Sequence, residues 1–427
     1  MTQTPHIPTT FDATIKLPSS KSISNRALLL CALSGSGGSV ERLATCDDTY
    51  VMWRALQNRP HEVDVMAAGT AMRFLTAFFS VCESGEEHIM TGTERMRQRP
   101  IGVLVDALRE LGADISYVER EGYPPLCVKG GRLKGGRLTL PGDVSSQYIS
   151  ALLMVAPLMD EGLTLELTGH VISRPYIDMT MSMMRTYGAS VIWQDDHTLH
   201  VHKVMYKDDV IFPVESDWSA ASYWYEMVAL TPAGSGTRVV LPWLRETSLQ
   251  GDCAVHQFFA HLGVTSTFDV HRDTVTLTRN DSDDAAAVNG ERFELDLSNQ
   301  PDLAQTMVVT CALLRRPFRF TGLQTLRIKE TDRIAALQNE LRKLGIELGV
   351  EGDNAVFVDH YPDNAPLWNG DPIATYHDHR MAMAFAPACM RCDGIEIADP
   401  EVVSKSYPRY WDDLETVKNG GNMYFKV

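Results

Sequence analysis

Five short segments put hydroxyl, amide and charged side chains where a helical pattern begins: Ser20-Lys21-Ser22-Ile23-Ser24-Asn25-Arg26, Ala68-Gly69-Thr70-Ala71-Met72-Arg73, Ser145-Ser146-Gln147, Pro301-Asp302 and Asp378-His379-Arg380. A helix start carries N–H groups without intrahelical partners and the positive end of the helix dipole, so it attracts anions. Serine hydroxyls add donors. Lys and Arg add charge-assisted hydrogen bonds, which for Arg can be bidentate. One such start reads equally well as a plain cap, because Ser, Asp and Gly are ordinary N-cap residues. Several donor-rich starts in one chain point to a ligand with several anionic groups. A further segment, Arg327-Ile328-Lys329-Glu330-Thr331-Asp332-Arg333, is dense in charge. It reads either as a solvated helix start capped by Thr331 or Asp332, or as a cationic face on which Lys329 and Arg333, at i and i+4, meet one ligand.

The elements that must hold these segments repeat. Amphipathic helices that end at a glycine are expected over Ile101–Gly112, Ile177–Gly188, Asp252–Gly263 and Ile334–Gly345. Counting back 11, 8, 4 and 1 residues from each glycine gives apolar residues at helical spacing, with Thr180 and Asp252 the two polar exceptions. The glycine suits the left-handed position that closes a helix. Each is followed by an alternating strand, a polar turn and a second strand, most clearly over Ser190–Val201 and Val264–Thr278 and similarly over Ile346–Val358 and Ala113–Val128. A second set of helices starts near Lys21, Gly69, Ser145, Asp217, Asp302 and Asp378. A period of about 76 residues marks one supersecondary unit used several times. Six starts imply six units. The first spacing is short, and the helix after Asp48 runs into Asn58-Arg59-Pro60 without a glycine and hairpin, so the first unit is read as truncated. The expected fold is α/β: two similar domains, each of three repeated α/β units. Residues 1–19 with 214–427 would form one discontinuous domain and residues 20–213 the other, with hinges near Ser20 and Pro213. A short solenoid is the alternative, but nothing in the pattern caps two free ends.

Bulk composition narrows the class. A net charge of −16 argues against nucleic acid or a membrane surface as partner, though a cleft can be locally basic in an acidic chain. The hydrophobic fraction of 44% is ordinary for a globular protein with sizeable cores. Eight scattered cysteines suit a reduced cytoplasm. Cys389-x-x-Cys392 lacks two further ligands at zinc spacing and reads as a pair of buried thiols. The first residues show no signal or transit pattern, and no apolar run is long enough to span a membrane. A cytoplasmic monomer acting on small molecules is expected.

The segments Leu17-Pro18-Ser19-Ser20-Lys21-Ser22-x-Ser24-Asn25-Arg26, Ala68-Gly69-Thr70-Ala71-Met72-Arg73, Arg99-Pro100-Ile101, Ser145-Ser146-Gln147, Ser173-Arg174-Pro175-Tyr176, Lys329-Glu330-Thr331-Asp332-Arg333, Asp378-His379-Arg380-Met381-Ala382 and Lys405-Ser406-Tyr407-Pro408 resemble, in order and across nearly the whole chain, the 5-enolpyruvylshikimate-3-phosphate synthase (EPSP synthase) family. The resemblance implies that family's inverse α/β barrel-like fold and transfer of the enolpyruvyl group of phosphoenolpyruvate to the 5-hydroxyl of shikimate 3-phosphate, a step toward chorismate and the aromatic amino acids. It implies catalysis in a cleft between domains that close on substrate, with no metal or organic cofactor.

Residue by residue, the resemblance assigns the phosphate of shikimate 3-phosphate to Ser145, Ser146, Ser173 and Lys329, its carboxylate to Ser22 and Arg26, and its hydroxyls to Asp302 with Tyr176 nearby; Lys21, Gln147 and Thr325 also face this substrate. Phosphoenolpyruvate falls to Lys21, the Gly69 backbone, Arg99, Gln147, Arg333, His379, Arg380 and Lys405. Asp302 is the expected base, with Glu330 and Lys21 as candidates for proton transfer at C3. Ala67 and Thr325 stand where the family usually has Asn. Two other readings compete. The sister family that enolpyruvylates UDP-N-acetylglucosamine has Lys-Asn at the first motif and a reactive Cys or Asp in the loop that here reads Arg95-Met96-Arg97-Gln98-Arg99. A degenerate, non-catalytic binder of phosphorylated metabolites is the other, suggested by the truncated unit and Ala67.

Overall fold

A computed structural model describes residues 1–35, 37–82, 85–280 and 292–418. The chain divides into two compact units, residues 19–214 and residues 1–18 with 215–427. The first holds helices α1 (Lys21–Ser34), α2 (Asp47–Asn58), α3 (Gly69–Val81), α4 (Glu94–Arg97), α5 (Gly102–Glu110), α6 (Ser146–Val155) and α7 (Arg174–Thr186). The second holds α8 (Trp218–Leu230), α9 (Val255–Ala260), α10 (Ala304–Leu313), α11 (Arg333–Lys343), α12 (His379–Phe385) and α13 (Tyr410–Lys418). Among the described residues no helix is long and apolar enough to cross a membrane.

The repeat is explicit in the sheets. Strand Gly136–Pro141 runs parallel to Leu163–Thr168, which pairs antiparallel with Thr198–Val201, which closes a hairpin with Val191–Trp193. The same order recurs in the sheet built on Glu62–Asp64 and Glu87–Thr91, in the one built on Asp12–Thr14 and Arg238–Pro242, and in the one built on Phe293–Asp296 and Phe318–Thr321. All four hairpins read from alternation are present. Gly112, Gly188, Gly263 and Gly345 have φ of 106°, 86°, 79° and 71°, the left-handed backbone that the helix ends require. The core positions counted back from them are all buried, Thr180 and Asp252 included.

Two units depart from this order. In the first, among the described residues, Ser39–Glu41 pairs only with Ile211–Pro213, so the expected truncation is present. The sixth is reduced as well, which the sequence pattern did not signal. Ile397–Ala398 pairs with Thr2–Gln3, and Ile373 bridges to Ile397. Strand exchange accounts for the discontinuity. Asp12–Thr14 precedes α1 in sequence but pairs with Arg238–Pro242, and Ile211–Pro213 precedes α8 but pairs with the first unit's strand.

The inner helices have no polar face. Every residue of α10 and α12 is buried, as is every residue of α8 except Ser219. Helices buried all round have no solvent face, so a ligand can meet them only at their ends, where the donor-rich segments sit. The polar side chains along them, such as Ser222, Thr306 and Thr310, make hydrogen bonds inside the core.

Candidate active site

In the unit 19–214, serine caps order the starts of α1 and α6, and contacts from neighbouring segments order the others. Ser20 caps α1 by accepting from the Ile23 amide. Lys21, the next residue, pairs through Nζ with Asp48 Oδ2 at 3.1 Å, and Asp48 lies in the acidic first turn of α2. Arg26, one turn further, is 2% exposed. Its Nε donates to Thr180 Oγ1 at 2.7 Å, Nη1 to the Ser22 carbonyl at 3.0 Å and Nη2 to Ser150 Oγ at 3.1 Å. Burial pulls the guanidinium down to about 10, with Tyr176 acting the other way, so it remains a cation at neutral pH. Thr180, one of the two polar exceptions in the core pattern, is there to receive this arginine.

Gly69 opens α3, and the Arg99 guanidinium lies against it: a methyl group at Gly69 would stand 2.6 Å from Arg99 Nη1. Arg73 fixes this corner from the next turn. It donates to the Gly69 carbonyl at 3.0 Å and to the Pro100 carbonyl at 3.3 Å, while Tyr148 OH donates to the same Pro100 carbonyl at 2.6 Å. Ser145 caps α6, accepting from the Gln147 amide, and Ser146 is the first helical residue. Gln147 Nε2 donates to Thr70 Oγ1 at 3.1 Å, tying the α6 start to the α3 start. Ser173, at the start of α7, is buried and left-handed (φ 53°), and its carbonyl accepts from the Tyr176 amide.

In the unit 1–18 with 215–427, the expected residues converge on one network of ion pairs. Asp302 lies in the 3-10 turn Pro301–Leu303 and caps no helix. Its carboxylate meets Arg380 Nη2 at 2.7 Å, Arg333 Nη1 at 3.4 Å and Lys329 Nζ at 3.7 Å. Glu330 bridges Arg333 Nη2 at 3.0 Å and Lys405 Nζ at 3.1 Å. Asp378 accepts from Arg333 Nε at 2.7 Å and from the Arg380 amide at 2.9 Å, so it caps α12 and grips α11 together. Buried His379 has Nδ1 3.6 Å from Asp378 Oδ1.

Burial alone would raise the Asp302 carboxyl, but Arg380, Lys329 and Arg333 overcome it and hold the group well below the usual carboxylate range. Burial likewise works against the Arg333 cation, and Asp378, Glu330 and Asp302 more than restore it. Lys329 and Arg333 do meet one group, though not by helical spacing. Lys329 is extended and precedes α11, whose first residue is Arg333. Asp332 caps α11 by accepting from the Ala335 amide, as the plainer reading of that segment required. Thr325 sits on the turn Gln324–Ile328, and among the described residues it takes no part in this network. Ala67 is exposed.

Asp252, the second polar exception, is a site residue that the residue types alone did not single out. It is buried, accepts from Ser219 Oγ and lies in the field of Asp302, Arg380 and Asp217. Burial, then the negative charge of Asp302, push its carboxyl up to about 6. A folded-state value above the unfolded value of about 3.9 stabilises the fold fully below pH 4, and that stabilisation is lost as pH rises through 6. The effect is on the order of 1–3 kcal/mol. Asp252→Asn should therefore flatten the fall in stability between pH 4 and 7, read from urea midpoints. An unchanged slope would mean that Asp252 does not titrate there. Asp413, also raised to about 6 by burial, leaves a residual slope of the same sign. The Cys389 thiol is buried and pushed up to about 12 by that burial, and the buried Cys392 is raised as well.

Comparison with known proteins is consistent across the chain. The sequence profile described as EPSP synthase (3-phosphoshikimate 1-carboxyvinyltransferase) matches residues 5–62 and 57–414. A Bacteroides fragilis protein named 3-phosphoshikimate 1-carboxyvinyltransferase is 51% identical over 407 residues, covering 95% of both chains. A Serratia proteamaculans protein of the same name is 34% identical over 433 residues, covering 95% of this chain and 96% of its own. A solved structure of EPSP synthase from Acinetobacter baumannii superposes with a TM-score of 0.73 over 97% of each chain at 21% identity, which speaks to the fold.

Proposed function

Because the chain belongs to the EPSP synthase family, we propose that the residues above carry the carboxyvinyl group from phosphoenolpyruvate to the 5-hydroxyl of 3-phosphoshikimate, with release of phosphate. The observation that supports these residue roles most is the convergence of four cations on two carboxylates, Asp302 and Glu330, in one part-buried network. Lys329, Arg333, Arg380 and Lys405 are each held by a carboxylate, so they are pre-oriented and await exchange for substrate anions. Two phosphates and two carboxylates repel one another in solution, and fixed cations with helix ends offset that repulsion.

Under this reading Ser145, Ser146, Ser173 and Lys329 hold the phosphate of 3-phosphoshikimate, and Ser22 and Arg26 its carboxylate. Arg26 spends three N–H groups on Thr180, Ser22 and Ser150, so it acts chiefly by charge and by ordering the α1 start. Lys21, Gly69, Arg99, Gln147, Arg333, His379, Arg380 and Lys405 hold phosphoenolpyruvate. As substrate anions take Arg333, Arg380 and Lys329, the field that depresses Asp302 weakens and its proton affinity rises. The base is thus activated by binding. Asp302 accepts the 5-hydroxyl proton as the oxygen attacks C2, and C3 gains a proton to become a methyl group. The C2–O bond to phosphate then breaks, and C3 loses a proton to give the enol ether. Lys21 and Glu330 serve the two transfers at C3. Each Glu330 oxygen is held by a cation, which fixes the carboxylate and lowers its proton affinity until substrate anions take those cations.

The deciding assay is phosphate release from phosphoenolpyruvate with 3-phosphoshikimate or UDP-N-acetylglucosamine as acceptor. Release with 3-phosphoshikimate alone is expected. Ligand-induced thermal stabilisation without release would instead make the chain a binder that has lost its chemistry.

A further inference from the structure

The loop that delivers Asp378 and Arg380 is bent in a way its residues resist. Tyr376 and His377, neither of them glycine, are consecutive left-handed residues with φ of 55° each. Side chains disfavour that conformation, and it persists only where surroundings over-determine it. Immediately after it come Asp378, which caps α12, and Arg380, whose guanidinium meets the Asp302 side chain at 2.7 Å and the Asp302 carbonyl at 3.1 Å. Any relaxation of the turn would rotate the α12 start and carry Arg380 off its target.

One buried side chain opposes that relaxation. Glu340, on α11, is 1% exposed. Its Oε2 accepts from the Ala374 amide at 2.9 Å and its Oε1 accepts from Tyr376 OH at 2.6 Å. Lys343 closes the same grip, pairing with Glu340 Oε2 at 2.7 Å and donating to the Pro372 carbonyl at 2.8 Å. Glu340 follows Arg333 by two helical turns, so both project from one face of α11. Arg333 holds the loop at Asp378 while Glu340 holds it at Ala374 and Tyr376. The helix that brings a cation to the site therefore also clamps the backbone that brings the next one.

We propose that Glu340 is a positioning residue for carboxyvinyl transfer, holding the left-handed Tyr376-His377 turn so that Arg380 is set for phosphoenolpyruvate. The inference rests on the assignment of Arg380 to that substrate. Both carboxylate oxygens are needed, because each accepts from a different donor. Glutamine keeps one acceptor for the Ala374 N–H but turns its NH2 toward Tyr376, reversing that hydrogen bond, and loses the charge paired with Lys343.

The test is steady-state kinetics on the full chain with both substrates varied. Glu340→Gln is expected to raise KM for phosphoenolpyruvate roughly tenfold, the scale of one misplaced charged contact, with KM for 3-phosphoshikimate within about twofold. Tyr376→Phe should shift KM in the same direction by less, and adding it to Glu340→Gln should cost little more, since both break one contact. His377 is exposed, so His377→Gly removes no packing and relieves the left-handed strain. Placed on Glu340→Gln, it should restore much of the lost affinity. Equal rises in both KM values with a lowered Tm, and no rescue by glycine, would reduce Glu340 to a stability residue and overturn the proposal. So would an unchanged KM for phosphoenolpyruvate in Glu340→Gln. Arg380→Lys is measured alongside: if it too leaves that KM unchanged, the substrate assignment of Arg380 has failed.

Discussion

Asp302→Asn is expected to lower kcat by about 10³-fold while leaving the affinity for 3-phosphoshikimate within a fewfold of the parent. The size is that of losing a positioned proton acceptor, roughly 10² to 10⁴. The amide has the shape of the carboxylate and can still accept a hydrogen bond from Arg380, so the site should stay assembled. It cannot take a proton from the 5-hydroxyl. Binding should hold because Lys329, Arg333 and Arg380 lose a competing anion rather than gain one. The pH profiles separate this role from a structural one. In the free enzyme Asp302 is held ionised far into acid, so it does not set the acid limb of kcat/KM. In the ternary complex substrate anions have taken its cations, its proton affinity is higher, and the acid limb of kcat is its own. That limb should vanish in Asp302→Asn. Near-parental kcat, or a kcat limb unchanged in the variant, would remove Asp302 from proton transfer.

Much of this arrangement was legible in the chain, and the parts that were not have a common physical cause. The repeat could be read because helical period, closing glycine and hairpin alternation are local signals, and each unit restates them. The truncated sixth unit was missed because it is completed by Thr2–Gln3, separated from Ile397–Ala398 by nearly the whole sequence, and by an isolated bridge at Ile373 rather than by a strand. Among site residues, those at helix starts were visible as donor-rich motifs. Asp252, Thr180 and Glu340 were not, since each lies within a helix or on a core face, where a polar residue reads as an exception. The signal was present: Thr180 and Asp252 are the two polar positions in an otherwise apolar pattern. A polar residue at a core position must have a buried partner, and here those partners are Arg26 and Ser219. Spacing misled in one place. Lys329 and Arg333 do share a target, but the helix begins only at Arg333, so proximity to Asp302 and not an i to i+4 relation brings them together.

Arg333→Leu should cost about 3–5 kcal/mol of stability at neutral pH, the range for removing one partner of a buried ion pair. Arg333 is 1% exposed and is shared by Asp378, Glu330 and Asp302. Leucine fills part of the volume but leaves three carboxylates short of a cation in a place where water cannot replace it. The loss falls on the unit formed by residues 1–18 and 215–427 and corresponds to a Tm decrease of about 10 °C. Its pH dependence has a definite sign. A carboxylate whose folded value is depressed contributes stability that is present above its unfolded value near 4 and lost as pH falls through the folded value. Asp302 is depressed in part by Arg333, so the parent loses this contribution in acid, whereas the variant has less of it to lose. The gap between the two should therefore be widest above about pH 5 and close as pH falls below 4. Arg333→Lys tests the geometry separately from the charge. It keeps a cation but cannot hold Asp378 through Nε and Nη2 at once, so it should fall between parent and leucine at pH 7. Thermal unfolding of the three proteins at pH 7 and at steps below pH 4 decides the matter. A deficit that grows toward acid would mean that Arg333 is held by packing and that the carboxylates around it find their compensation elsewhere.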